Sequence, residues 1–200
     1  MRMFAPCCGL FGLLLLTACS TIDKRVDPDA PDEVGGAALQ SQDIRTMALK
    51  MADDLRASGI LTSQAAGQTV TFHITELKNE SSDTINRTIV LTKLRTELMK
   101  ALPGRLTVLD RSAEGLEAVK HEREAKRAGA VTANEGMKGN VLGSDYVLKG
   151  VIQDRVQQSG HAKSAYYLVT FELTDLETSR LVWTNDYEAK FLTEKSVITR

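Results

Sequence analysis

Apolar residues recur along this chain with two periods, and the switches between them divide it into elements. Ile44, Met47, Ala48, Met51 and Leu55 fall at helical spacing, with Ser41 or Asp43 placed to cap the start and Gly59 beyond the end. The next stretch, "QTVTFHITEL" (68–77), alternates Val70, Phe72 and Ile74 on one side with Thr71, His73 and Thr75 on the other, which predicts a strand buried on one face. A polar loop, "KNESSD", then leads into a helical stripe of Ile85, Ile89, Leu94, Leu98 and Leu102 that Pro103-Gly104 ends. "RLTVLDR" (105–111) is a second strand. Asp110 or Ser112 caps a third helix, which is expected to turn Ala113, Leu116 and Val119 inward before the charged run "KHEREAKR". After a glycine-bearing stretch, "SDYVLKGVIQDR", "AYYLVTFELTDL" and "RLVWTNDYEAKF" predict three more strands, the last two joined at Glu177-Thr178-Ser179 as a hairpin.

Strand, helix, strand, helix, strand and then an antiparallel hairpin imply an α/β fold of the α+β type. Its sheet is mixed, has about four to five strands, and is flanked by helices from right-handed crossovers. No repeat or second domain is visible.

The two ends of the pattern differ from this core. "GLLLLTACS" (12–20) sets an apolar run against two small residues and a cysteine, behind a short stretch carrying Arg2. The run is too short to span a membrane comfortably and reads as a secretory signal. Leu16-Thr17-Ala18-Cys19 fits the bacterial lipobox, so residues 1–18 are expected to be a signal peptide and Cys19 the lipid-attachment residue. Ser20 next to it permits export to the outer membrane. All three cysteines, Cys7, Cys8 and Cys19, lie in or beside that signal, so the mature chain can form no internal disulfide and depends on its core for stability. Residues 19–40 combine prolines, a glycine pair and acidic groups, which predicts a lipidated, flexible tether ahead of a single globular domain over 41–200. Twenty-one residues beyond the cysteine reach about 70 Å when extended and about 25 Å as a coil.

Removal of the signal takes away only Arg2, leaving 24 basic and 26 acidic residues, and nothing in that balance asks for nucleic acid. Chemistry is sparse. His121-Glu122 begins like a helical zinc motif, but the position for the second histidine is Ala125. His73 and His161 stand on other elements with no carboxylate at ligand spacing. "GMKGNVLG" has the wrong glycine spacing for a phosphate cradle, and no Gly-x-Ser-x-Gly elbow occurs. No catalytic residue, metal set or cofactor is therefore assigned. Trp183 is expected to plug the core.

Three strings, in this order behind a lipobox, resemble the penicillin-binding protein activator family of LpoB. They are "NESSDTINRTIVLTKLRTELMKALPGRLTVLDR", "GSDYVLKG" and "YYLVTFELTDLETSRLVWTNDYEAKF", and the resemblance covers Met47 to Phe191. It implies a domain like the N-terminal domain of TolB, without an active site. The implied partner is a class A penicillin-binding protein, met from the outer membrane, whose peptidoglycan synthesis the lipoprotein stimulates. The family offers no catalytic motif to carry over, so the expected partner-binding residues, Asn79, Ser81 and Asn86, follow from the position of an exposed polar loop at a strand's end. The short tether departs from the long proline-rich one of LpoB-type activators. The alternative is a CsgG-like accessory lipoprotein for assembly or secretion of a cell-surface structure, although no leftover alternating segments exist here to build a pore.

Overall fold

Which face of the sheet is covered follows from side-chain alternation once the strands are in register. In the computed structural model, which describes residues 23–62, 69–132 and 140–194, five strands form one sheet: β1 (Val70–Asn79), β2 (Leu106–Val108), β3 (Tyr146–Ser159), β4 (Ala162–Asp175) and β5 (Leu181–Glu194). Their order across the sheet is β2-β1-β3-β4-β5. β1 runs parallel to both β2 and β3, whereas β3, β4 and β5 form an antiparallel meander. The sheet is therefore mixed, as the order of elements predicts, and three helices join it: α1 (Ser41–Ala57), α2 (Arg87–Ala101) and α3 (Ala113–Arg127).

Cross-strand rows show the alternation at work. Leu148, Leu173 and Trp183 stand side by side, and the next two rows on the same face are Gly150, Phe171 and Asn185, then Ile152, Val169 and Tyr187. All of Leu148, Ile152, Val169, Phe171 and Leu173 are buried. Against them α1 lays Met47, Ala48, Met51, Ala52 and Leu55, and α2 lays Val90, Leu94 and Leu98. The opposite face of the three antiparallel strands carries Lys149, Arg155, Glu172, Asp186, Glu188 and Lys190, so it is the solvent side.

β1 corrects the simple alternation. Between Ile74 and Leu77 it advances three residues while β3 advances two, from Leu148 to Gly150. This bulge shifts the strand's phase by one and brings Leu77 onto the covered face beside Phe72. Room for Leu77 comes from Gly150, where an added Cβ would lie 2.9 Å from Leu77 and 2.7 Å from the Phe171 ring.

Helix phases also differ from expectation in two places. In α2 Val90 is buried and Ile89 is 55% exposed, because Asn86 caps the helix and starts it at Arg87, so the buried line is 90, 94 and 98. In α3 the expected inward residues are on the surface: Ala113 is exposed, as are Leu116 and Val119, and no residue of the helix is buried. The three-residue β2 is an edge strand, and among the described residues α3, which follows it, packs no buried side chain against the sheet.

The cap of α1 is Gln40, closed by the Asp43 carboxylate on the Gln40 N–H at 2.9 Å, rather than Ser41 or Asp43 itself. Ahead of it, part of the 19–40 segment expected as tether lies on the domain. Ala37 is buried beside Ala165 and Tyr167, Asp32 accepts the Ser41 N–H at 2.8 Å, and Asp29 pairs with Arg45.

Candidate functional site

The expected rim is the loop Glu80–Asn86, which leaves the end of β1 and enters α2. Its shape comes from short-range hydrogen bonds of the kind Asn, Ser and Asp favour over regular structure. Asn79 accepts the Ser81 N–H at 3.1 Å and the Ser81 hydroxyl at 2.6 Å, and its own amide donates to the Asp83 carbonyl at 2.8 Å. Asn86 accepts the N–H groups of Thr88 and Ile89 at 3.1 and 3.3 Å, which makes it the N-cap of α2. Of the three expected binding residues, Asn79 and Ser81 are thus brought together and Asn86 stands apart at the helix start. Their polar atoms shape the loop, while Glu80, Ser82, Thr84, Asn86 and Arg87 are the residues it leaves exposed.

Longer-range partners hold that shape against the sheet. The Ser82 N–H donates to Asp154 on β3 at 3.0 Å and its hydroxyl reaches the same carboxylate. Glu80 donates its N–H to the Ile152 carbonyl at 2.8 Å, and its side chain pairs with Lys78 at 2.6 Å and accepts from Gln153 at 3.0 Å. Behind the loop, the fully buried Tyr167 points its hydroxyl at the Asp83 carboxylate and lies 3.3 Å from the Ala37 carbonyl. Burial first, then the Asp83 carboxylate, raises the Tyr167 phenol well above its ordinary value. One hydroxyl therefore links the polar loop, the sheet and the N-terminal segment. Phe191 closes over Tyr167 edge-on, with centroids 5.9 Å apart.

Asp83, Asp154 and Tyr167 are the residues sequence reading missed. One signal was present: a tyrosine in the apolar phase of an alternating strand needs a partner for its hydroxyl.

Two aromatic residues on β5 tie α1 down in the same manner. Trp183 is buried and donates its indole N–H to Asp54 at 2.7 Å; Tyr187 donates to Asp43 at 2.8 Å, with Lys50 5.7 Å above its ring. Burial and Asp43 push the Tyr187 phenol up to about 12. The "GSDY" string is a brace as well: the Asp145 carboxylate accepts both the Thr71 N–H at 2.8 Å and the Thr71 hydroxyl at 2.9 Å, joining β3 to β1.

The histidines are dispersed. His73 faces Arg111 across a cleft by Leu91 and Asp110, its Nδ1 has no hydrogen-bond partner among the described residues, and burial followed by Arg111 lowers its pKa. His121 is on α3 and His161 is in the β3–β4 turn. Among the described residues no group of three or more His, Cys, Asp or Glu is placed to hold a metal ion, and no helix is long and apolar enough to cross a membrane. Cys19 and the 1–18 signal lie outside the described residues.

A family model described as the peptidoglycan-synthase activator LpoB matches residues 43–189. Solved structures similar to this chain include the LpoB C-terminal domain from Salmonella enterica, at 14% identity and a TM-score of 0.42, covering 74% of this chain and 98% of that one. The LpoB C-terminal domain from Escherichia coli has 13% identity and a TM-score of 0.42 over the same shares, 74% and 98%. Lipoprotein GNA1162 from Neisseria meningitidis has 15% identity and a TM-score of 0.41, covering 64% of this chain and 88% of that chain. No curated protein matches.

Proposed function

The chain belongs to the peptidoglycan-synthase activator LpoB family, and on that footing we propose that it is a non-catalytic lipoprotein of the outer membrane that binds a class A penicillin-binding protein and stimulates its synthesis of peptidoglycan. The observation that carries this reading is the extent of the match: residues 43–189 run from the first turn of α1 through most of β5.

Activation by a protein without chemistry of its own is a coupling of equilibria. The lipoprotein must bind the active arrangement of the synthase more tightly than the resting one, by about 1.4 kcal/mol for each tenfold shift. A rigid contact surface serves that purpose, since a surface that ordered only on binding would lose part of the differential energy to entropy. The braced loop Glu80–Asn86 is the proposed rim. Asn79, Ser81 and Asn86 serve it by holding its form, and exposed Glu80, Ser82 and Arg87 are offered to the partner.

Anchoring is proposed at Cys19, with residues 1–18 as the cleaved signal. Three acyl chains on one cysteine hold a protein at a membrane stably, because each buried methylene adds to the affinity. The first buried residue among those described is Ala37, so 17 residues, 20–36, lie between it and Cys19. They reach about 60 Å fully extended and about 23 Å as a coil. The synthase must therefore present its docking surface within that distance of the outer membrane plus the breadth of the domain itself.

The test is the crosslinking rate of the same organism's class A penicillin-binding proteins on lipid II, with and without the soluble chain beginning at Ser20. Saturable acceleration supports the reading. No acceleration of any of those synthases sinks it.

A further inference from the structure

β5 is the outermost strand of the sheet over 14 residues, and among the described residues no strand pairs with its outer side. Long edges of this kind are templates for another strand, and proteins usually blunt them with prolines, inward charges or a covering element. β5 has no proline, and its charged residues point to the solvent face, not inward. We propose that β5 pairs antiparallel with β5 of a second copy, so that two sheets continue into one about a two-fold axis at Ala189.

The register is selected by charge. Directly opposite residues of an antiparallel pair share a face, so a two-fold that keeps both helix layers on one side pairs odd positions with odd and even with even; a slip of one residue would mix the faces. With Ala189 opposite Ala189 of the second copy, Glu188 of each copy faces Lys190 of the other, and Tyr187 faces Phe191 on the covered side. A slip that centres the axis on Glu188 pairs Asp186 with Lys190 but sets the two Glu188 carboxylates opposite each other, and one that centres it on Lys190 sets two ammonium groups opposite each other and Asp186 against Glu194. Centring on Tyr187 sets Asp186 against Glu188 twice. Among these four registers only the one centred on Ala189 satisfies Glu188 and Lys190 together.

This pairing joins residues 184–194 of each copy, 11 on each side, and supplies about ten backbone hydrogen bonds for which the edge has no strand partner among the described residues. Glu188 and Lys190 are exposed on the isolated chain, so substitutions there report on the interface more than on the fold. In both copies Ala37 lies on the helix-covered side, against Ala165 and Tyr167.

Light scattering on the soluble chain beginning at Ser20, from about 1 to 200 µM, reads the mass directly. A dimer is expected, and Ala189→Cys should crosslink to itself under mild oxidation, because directly opposed Cα atoms lie within disulfide reach. Glu188→Lys should weaken the dimer about tenfold, since two like-charge pairs replace two opposite ones, and Lys190→Glu should do the same. The double exchange Glu188→Lys with Lys190→Glu should restore it, with circular dichroism showing that each variant keeps its strands. A monomer throughout the concentration range overturns the proposal. So does a dimer indifferent to the exchange, or an open-ended polymer in place of a closed pair.

Discussion

α1 and α3 are both amphipathic by spacing, and they meet opposite fates. α1 buries five side chains between the sheet and α2, and two of its carboxylates, Asp43 and Asp54, are bound by Tyr187 and Trp183 from β5. α3 buries none, although Ser112 caps it with a 3.0 Å bond to Gly115 and Lys126 pairs with Glu122 at 3.1 Å. Caps and ion pairs supply tenths of a kcal/mol to about one each, whereas a buried leucine supplies about two. Periodicity therefore states that a helix has an apolar side; only the sheet's extent decides whether anything lies beneath it.

The comparison predicts its own largest effect. Leu94→Ala, in the fully covered part of α2, should destabilise the domain by about 2–5 kcal/mol in chemical denaturation, because the cavity adds to the lost transfer energy. Leu116→Ala, the same chemical change on α3, should fall within about 0.5 kcal/mol of the parent. Comparable losses at the two sites would show that α3 belongs to the core. Next comes the platform itself. Gly150→Ala forces a methyl group against Phe171 and Leu77 and should cost about 1–3 kcal/mol by overpacking. Phe171→Leu in the same chain should recover part of it, and a failure to recover would mean that the glycine serves the backbone instead of the ring.

A third measurement concerns the joint beneath the polar loop. Tyr167→Phe keeps the ring and removes the hydroxyl that Asp83 and Ala37 share, with an expected loss of about 1–2 kcal/mol. Hydrogen exchange should quicken in both the Glu80–Asn86 loop and the segment around Ala37. Exchange that quickens in only one of them would break the link between the two.

Much of this was legible in the chain, and the rest had physical reasons to be hidden. β4 alternates cleanly because one side of it is buried from Ala165 to Leu173, β5 alternates between half-buried and exposed positions, and β3 keeps buried residues only at Leu148 and Ile152. The β1 bulge is invisible in the sequence, since a phase shift is defined only against a partner strand. Ile89 and Val90 exchange roles because the helix phase is set by the cap, and Asn86 was one of several polar residues able to supply it. The polar loop was found by its composition, yet the groups that brace it, Asp154 and Tyr167, are 72 and 84 residues away from Ser82 and Asp83. Local pattern cannot contain contacts at that distance.

The finest discrimination comes from the two caps. Asn86 and Ser112 do the same job at the starts of α2 and α3, each accepting backbone N–H groups in the first turn. Replacing Asn86 by alanine should lower global stability by about 1 kcal/mol, because α2 unfolds only with the domain. Replacing Ser112 by alanine removes a similar local energy, but an unpacked 15-residue helix opens by itself. Its amides should exchange about fivefold faster while the midpoint of global unfolding stays fixed. If Ser112→Ala instead moves that midpoint as far as Asn86→Ala does, α3 is coupled to the core through contacts its surface position does not suggest, and the contrast between packed and unpacked helices fails.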